Sequence, residues 1–454
     1  MSLRVQWRWL SVVVGVLLVC GVVAAAAFDE EDGSSLAAET GVDGLGATTT
    51  AAPTDGAAST PSSLPAPGDA GSSGSPTTVP SKSTNAPATT IASSAASGAT
   101  CPSATSTIDR AGLWFAKPGA RAAFLVGGAV EAMAWSPDGR RVAWLSGDGS
   151  VLRVAAGDAS PPATLVDGWD VLPVVGWSDL SDAVIVAGLG IDDAMGVWRV
   201  PLDGSVPRLV YATESPPVAF AVGGWGPWGE QDGRSRWVGA VVAGGSVDVV
   251  RGDGTAGRTL VSGAARDFDS VAVDRLGENV AVGGPGGMWM ALGRAGEARR
   301  VVSDGRVRVL EWGWSSEWVA TDVGSPAALS VVRAGGDGDD GGVRRLAEPG
   351  DSGWALSNVG RAVFVGVPGV GVVEKSLVED DAQERLLHPR ATLPAVSLPG
   401  AVAFLVGGVV CVAPDSASLD RSTVAGFAGG ASLSTTVPME WSSTGMLALV
   451  AVAS

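Results

Sequence analysis

The stretch AMAWSPDGRRVAW, residues 132–144, carries the clearest structural signal in the chain. Its apolar residues up to Trp135 indicate a β-strand. Residues 136–139, Ser-Pro-Asp-Gly, have turn chemistry, because proline pre-sets the first corner of a turn and glycine accepts the left-handed conformation. A second apolar strand follows from Val142. The stretch therefore predicts two antiparallel strands joined by a tight turn.

The same pattern returns seven times along the chain. The further copies are 174–188, 271–284, 310–321, 354–367, 395–408 and 439–453, together with 223–242, which is stretched by an insertion. From Trp135 to Trp441 there are 306 residues over seven steps, or about 44 per repeat. That is the period of a four-stranded propeller blade.

Each copy except the last is followed by two more strand-like stretches. The missing pair stands before the first copy, at residues 112–119 and 120–128. We therefore expect the two chain ends to complete one blade together, which removes exposed sheet edges. The predicted fold class is an all-β propeller of eight four-stranded blades, or of seven if the stretched copy near Trp228 is misassigned. A β-sandwich would not repeat at a fixed length, and the sequence shows no amphipathic helices for an α/β fold.

The decapeptide WSPDGRRVAW, residues 135–144, resembles the repeat of TolB-type, WD-like propellers, where W-S-P-D-G-[RK]-x-[ILV]-A joins the first two strands. The resemblance implies a structural motif without a catalytic residue. It also implies either an interaction scaffold of the cell envelope or a propeller attached to a peptidase. We expect the first, because the ring uses all of the chain after the stalk.

The N-terminus has the pattern of a membrane-targeting segment. Arg4 and Arg8 precede an uncharged apolar run at 9–28, and four acidic residues follow at 29–32. Twenty helical residues span about 30 Å, the thickness of a bilayer core. The charge asymmetry places the N-terminus in the cytoplasm and the rest outside. Ala25-Ala26-Ala27 offers a cleavage site, so secretion after signal cleavage is the alternative.

Residues 33 to about 105 are dominated by Ser, Thr, Ala, Gly and Pro. Such a segment cannot bury enough apolar surface to offset its ordering entropy, so we expect a disordered spacer. The predicted organisation is a cytoplasmic stub at 1–8, a transmembrane anchor or signal peptide at 9–28, a disordered stalk at 29–105 and the propeller at 106–454.

Charge excludes one class of partner. The formal net charge of −17 would repel a polyanion, so we expect no nucleic acid partner. The expected partners are the membrane, through the N-terminal segment, and an unidentified protein or cell-wall glycan.

Cys101 and Cys411 are the two cysteines outside the apolar run. Cys411 falls in the third strand of the seventh repeat, and Cys101 comes just before the strands that finish the neighbouring blade. In an oxidising compartment a disulfide between them would stabilise the seam of the ring, which is the place where the two chain ends meet. Two free thiols are the alternative.

No residue set predicts a catalytic, cofactor or metal site. His388 is the only histidine, and we expect it in a surface loop at the end of an outer strand. The acidic run from Asp337, with Glu348 twelve positions in, superficially fits a calcium loop. Arg344 and Arg345 fall where an apolar residue and a ligand belong, so a solvated hairpin tip is the better interpretation.

The expected function is a non-catalytic, extracytoplasmic, membrane-tethered interaction module of the cell envelope. Trp225 and Trp228, in the inserted stretch, are the residues we expect at its binding face. The first alternative is a hydrolase or lyase that uses carboxylates in the central channel. Its candidate residues interrupt the apolar first strands, and they are Glu131, Asp170, Asp269 and Glu311. The second alternative is an ectodomain sensor for a membrane partner.

Overall fold

The computed structural model describes residues 101–453 apart from short gaps, which are 105, 147–148, 159, 224–236, 253–256, 263–266, 294–295, 304, 314, 326, 336–341, 349–352, 358–360, 379–383, 398 and 418–420. Within this part the chain forms β-strands and one 3₁₀ turn at Ile191–Asp193. None of its helical segments is long and apolar enough to cross a membrane. The anchor predicted at 9–28 lies outside the described residues.

Three strands come before the first complete blade, and they are β1 (Thr107–Ile108), β2 (Gly112–Ala116) and β3 (Ala123–Val126). Blade 1 follows with β4 (Val130–Trp135), β5 (Arg141–Ser146), β6 (Leu152–Ala156) and β7 (Ala163–Val166). Blade 2 contains β8 (Asp170–Val171), β9 (Gly176–Trp177), β10 (Ala183–Leu189), β11 (Met195–Pro201) and β12 (Arg208–Ala212). Blade 3 contains β13 (Pro217–Gly223), β14 (Val238–Ala243), β15 (Ser246–Arg251) and β16 (Arg258–Val261). Blade 4 contains β17 (Ser270–Val273), β18 (Val280–Gly284), β19 (Gly287–Ala291) and β20 (Arg299–Val302).

The second half of the ring repeats this order. Blade 5 contains β21 (Val307–Trp312), β22 (Trp318–Val323), β23 (Ala328–Arg333) and β24 (Arg344–Arg345). Blade 6 contains β25 (Trp354–Leu356), β26 (Ala362–Val367), β27 (Gly371–Ser376) and β28 (Arg385–Pro389). Blade 7 contains β29 (Ala391–Val396), β30 (Val402–Val406), β31 (Val409–Ala413) and β32 (Ser422–Phe427). Blade 8 begins with β33 (Ala431–Leu433), β34 (Met439–Trp441) and β35 (Leu447–Ala453).

The eight sheets confirm the all-β propeller with four-stranded blades. In two blades the innermost strand is split into two short pieces that pair with the same neighbour, β8 and β9 with β10, and β33 and β34 with β35. Pro173 and Pro438 stand between the pieces. A proline has no N–H for the ladder, which accounts for the interruption.

The two chain ends complete blade 8, as the sequence predicts. Strand β2 pairs antiparallel with β35, from Gly112 opposite Ala451 to Ala116 opposite Leu447, and β3 pairs with β2. The sequence did not predict β1. It adds a fifth, parallel strand to blade 7 through pairing with β32. The N-terminal segment is therefore held by two adjacent blades.

Tryptophans at the ends of the inner strands join neighbouring blades. In each case the indole Nε1–H donates to the carbonyl oxygen of an inner-strand residue in the preceding blade. The four pairs are Trp135 to Glu440 (3.0 Å), Trp177 to Ala134 (2.9 Å), Trp312 to Ala272 (3.1 Å) and Trp441 to Ala395 (3.4 Å). A buried indole N–H needs such a partner, so these bonds both satisfy the donor and fix the spacing of the blades.

The residue after the tryptophan position organises the tight turn. In blade 1 the hydroxyl of Ser136 accepts from the backbone N–H of Arg141 at 2.9 Å and donates to Asp138 at 2.5 Å. Gly139 takes a φ of +66°, as the turn chemistry requires. Ser178, Ser357, Ser397 and Ser442 accept backbone N–H groups in the equivalent turns.

The structure pairs Cys101 with Cys411, whose Cα atoms are 6.1 Å apart. Cys411 lies on β31, in the third position of blade 7, as expected. Next to the pair, the hydroxyl of Thr423 on β32 donates to the carbonyl oxygen of Pro102. The pair therefore ties the start of the N-terminal segment to the blade beside the seam.

We expect Cys101→Ala to lower the free energy of unfolding by about 2–5 kcal/mol, because the bridge closes a loop of 310 residues in the unfolded chain. The check is thermal unfolding of wild type and variant with and without dithiothreitol. Reductant should bring the wild type down to the variant and leave the variant unchanged. Equal melting of the two unreduced proteins would contradict a structural bridge.

We expect Trp177→Phe to cost about 1–2 kcal/mol more than Trp198→Phe, since only the first change removes a hydrogen bond. Both side chains are buried, but Nε1 of Trp198 has no hydrogen-bond partner. Urea unfolding of both variants gives the difference. Equal losses of unfolding free energy in the two variants would show that the indole–carbonyl hydrogen bond adds no stability beyond the packing of the indole.

Candidate functional site

The tryptophans predicted at a binding face, Trp225 and Trp228, lie outside the described residues. The strands on either side of them are described: β13 ends at Gly223 and β14 begins at Val238. In an antiparallel blade, the first-to-second and third-to-fourth connections share one end of the sheet. We call this end of the ring the turn face, and it includes the tight turn after Trp135.

The carboxylates that interrupt the inner strands do not form one cluster. Asp170 is exposed at the start of β8, and Asp269 pairs with Arg306 at 2.5 Å. Across the described part of the chain, no group of three or more His, Cys, Asp or Glu side chains is placed to share a metal ion.

Asp269 belongs instead to a charged cluster between blades 4 and 5. Arg308 on β21 lies opposite Asp322 on β22. Burial raises the pKa of Asp269 and of Asp322, and nearby arginines oppose both shifts, Arg306 and Arg308 at Asp269 and Arg308 at Asp322. Burial also lowers the pKa of Arg308. Because an arginine lies near each acid, the charges of the cluster are paired, and the cluster links blades 4 and 5.

Glu311 is different, because among the described residues no cation shifts its pKa. It is the penultimate residue of inner strand β21, its side chain is 7% exposed, and its Oε2 is buried without a hydrogen-bond partner. Burial alone raises the pKa of Glu311 to about 8. A carboxyl with that pKa is predominantly protonated at neutral pH.

Glu440 occupies the equivalent position on β34 of blade 8 and is 5% exposed. Its Oε1 accepts the backbone N–H of Trp135 at 3.3 Å, and its Oε2 is buried without a partner. Burial raises the pKa of Glu440 well above its ordinary value; the Trp135 N–H opposes the shift, and the charge of Glu311 adds to it. The two carboxyls are thus electrostatically coupled.

Glu311 was predicted from the sequence as a candidate residue, whereas Glu440 was not. A signal was present, since Glu311-Trp312 and Glu440-Trp441 are the same dipeptide at the same position of two repeats. In the apolar spacing of the repeats, however, a single acid resembles a solvated exception to the pattern. Only the closed ring shows that both acids are buried.

The expectation that His388 lies in a surface loop is wrong. It is a buried residue of β28, and its ring packs on Phe404 of the next blade with centroids 5.4 Å apart. The Nδ1 atom is 2.6 Å from the carbonyl oxygen of Pro389. An outer strand is covered on its faces by the adjacent blades, which sequence position alone did not reveal.

The acidic run considered as a calcium loop is only partly described, because Asp337, Asp339 and Asp340 lie outside the described residues. Glu348 is described, and its carboxylate pairs with Arg345 at 2.6 Å. The residue that would close a calcium loop is thus engaged by a cation of its own chain.

A scan of protein-family models finds none that matches this chain. A search of curated proteins likewise finds no significant match.

We expect Glu311→Gln to stabilise the protein at neutral pH and to flatten its pH dependence. Above pH 4.5 the unfolded chain releases the Glu311 proton while the folded chain keeps it up to about pH 8. Wild-type stability should therefore fall by up to about 1.4 kcal/mol per pH unit in this window from this group, and level off above it. Urea unfolding at pH 5.5, 6.5 and 7.5 measures the slope.

The matched control is Glu317→Gln, which removes a partly exposed carboxylate paired with Arg333. It should leave the slope between pH 5.5 and 7.5 unchanged. Identical slopes in wild type and Glu311→Gln would contradict the raised pKa.

Proposed function

We propose that this chain is a membrane-tethered, extracytoplasmic β-propeller that binds a protein or a cell-wall glycan through its turn face. The single observation that carries the proposal is the closed ring of eight blades. A closed propeller offers two faces of loops on a rigid scaffold, which is the usual arrangement of an interaction module. The likeness of residues 135–144 to TolB-type repeats supports the same class.

The tether is proposed from the charges around the apolar segment 9–28 and from the polar stalk after it. The Cys101–Cys411 pair supports an oxidising location outside the cytoplasm.

Three exposed apolar side chains lie on the turn face within blades 2 to 4. Leu180 lies in the turn before β10 and is 42% exposed, Val206 lies between β11 and β12 and is 77% exposed, and Leu276 lies in the turn before β18 and is 40% exposed. These blades are consecutive, since β13 packs against β10 and β17. Leu180 and Leu276 thus flank the blade into which the Trp225–Trp228 insertion is built. Apolar side chains grouped on one face suit a partner-binding surface.

We expect the double change Leu180→Ser and Leu276→Ser to abolish partner binding without unfolding the ring, because both side chains are exposed. The experiment cross-links the tagged full-length chain in intact cells and identifies the captured partners by mass spectrometry. Co-sedimentation with purified cell wall tests a glycan separately. Val218→Ser is the matched control: Val218 is 49% exposed and lies near the start of β13, on the opposite face.

If a partner captured by the wild type is lost in the double variant and retained in Val218→Ser, the result would support partner binding at the turn face. An unchanged partner set would contradict it. In the same cells, external protease should reach the propeller, and full protection from it would contradict the extracytoplasmic location.

A propeller hydrolase or lyase is the second candidate, and Glu311 and Glu440 favour it. A carboxyl that keeps its proton at neutral pH is suited to general acid catalysis. This function requires turnover that Glu311→Gln and Glu440→Gln both abolish while the ring stays folded.

A further inference from the structure

The residue before the tryptophan position of the repeat is small in most blades. Counting back one residue from the end of each inner strand, these are Ala134, Gly176, Ala272, Ala355 and Ala395. Blades 5 and 8 instead carry Glu311 and Glu440. Because the repeats are equivalent, these positions lie at one level of the ring. Glu311 and Glu440 therefore place two carboxyls at a height along the ring axis where five other blades carry only alanine or glycine.

The contacts of Glu440 show that its carboxyl reaches the channel side of the ring. The backbone N–H of Ser136 bonds to Arg141 on β5, so the N–H of Trp135, one residue earlier, points to the other edge of β4. That edge is the innermost of blade 1 and faces the central channel. The Oε1 of Glu440 accepts this channel-side N–H.

Each carboxyl retains an unused oxygen. The Oε2 atoms of Glu311 and Glu440 are buried and have no hydrogen-bond partner, although both side chains are more than nine-tenths buried. A buried polar atom without a hydrogen bond costs free energy, and an apolar or amide side chain at these two positions would avoid burying a charge. Two such atoms at one level of the ring can accept hydrogen bonds from a ligand.

The chemistry of the two carboxyls selects the ligand. Among the described residues, the one charge that acts on either group is that of Glu311 on Glu440, so the site has no cation of its own. No third His, Cys, Asp or Glu side chain joins them in the described part of the chain, which leaves too few ligands for a divalent metal held by side chains. A ligand with N–H donors and a positive charge would satisfy both oxygens.

We propose that Glu311 and Glu440 form a binding site in the central channel for a primary alkylammonium group, carried by a free aliphatic polyamine or by a lysine side chain. This site is independent of the turn face described above. Entry of one ammonium group requires one carboxyl to give up its proton to the solvent, which leaves a neutral pair of ammonium and carboxylate. The second carboxyl keeps its proton and donates or accepts a hydrogen bond.

The test is isothermal titration of the full-length protein in detergent with 1,4-diaminobutane, and separately with the peptide Gly-Lys-Gly, at pH 7. Repeating each titration in buffers of different ionisation enthalpy gives the number of protons released. We expect saturable binding with release of about one proton per ammonium group bound, since burial raises the pKa of both carboxyls and one of them must ionise to pair with the ammonium group. Surface carboxylates are already ionised and would release none.

Three variants make the result specific. Glu311→Gln and Glu440→Gln should each weaken binding at least tenfold, and the one carboxyl left in each variant supplies the proton released by any remaining binding. Asp203→Asn, which removes an exposed carboxylate on the turn face, should change neither. Circular dichroism and thermal melting of each variant separate loss of the site from loss of the fold.

Binding of the diamine alone or of the lysine peptide alone would support the site and identify its source. Binding of neither, or binding that survives in both glutamine variants, would overturn the proposal. Displacement of the amines by calcium or potassium at equal concentration, with the same proton release, would also overturn it, because the site would then be one for inorganic cations.

Discussion

Pairing between β2 and β35 is the interaction on which the rest of this structure depends. It places residues from near the two ends of the described chain in one sheet, with Gly112 opposite Ala451. Without it, β35 would present a free edge, and its backbone donors and acceptors would be unpaired. The parallel pairing of β1 with β32 and the Cys101–Cys411 pair hold the same N-terminal segment against blade 7. The closure is therefore anchored in both blades that adjoin the seam.

Closure of the ring constrains the side chains that the inner strands place around its central axis. The inner strands are brought to one level by the indole–carbonyl bonds of Trp135, Trp177, Trp312 and Trp441, and by packing of the tryptophans between blades. Alanine or glycine stands one residue before the tryptophan position in five blades. Glu311 and Glu440 stand out against that background because their carboxyls are buried at the same level. The closure that stabilises the fold is thus also what desolvates the two acids and raises the pKa of each.

The sequence predicted those features that each repeat encodes locally. The tight turn of residues 136–139, the spacing of about 44 residues and the unmatched strands before Val130 were enough to predict eight blades and their joint closure. The proximity of Cys101 and Cys411 followed from that closure. Features that arise between blades were missed or mistaken. Strand β1 has no counterpart in the repeat, and the burial of His388 depends on Phe404 of the next blade.

The same distinction applies to the candidate site. Glu311 was visible as a charge in an apolar strand, whereas its partner in blade 8 required the ring to be closed before the two could be related. The turn-face residues Leu180 and Leu276 could likewise be grouped only once the blades were ordered around the axis. Trp225 and Trp228 remain a prediction from the sequence, supported by the exposed leucines on the two blades beside their own.

Native-state hydrogen exchange of the β2 amides tests the closed ring most directly. If β2 is the third strand of a blade whose first two strands come from the other chain end, the amides of residues 112–116 should exchange only on global unfolding, with the same free energy as those of β35. Rapid exchange in β2 while β35 and the strands of blades 1 to 7 stay protected would show that the chain ends are not joined, and would contradict the account.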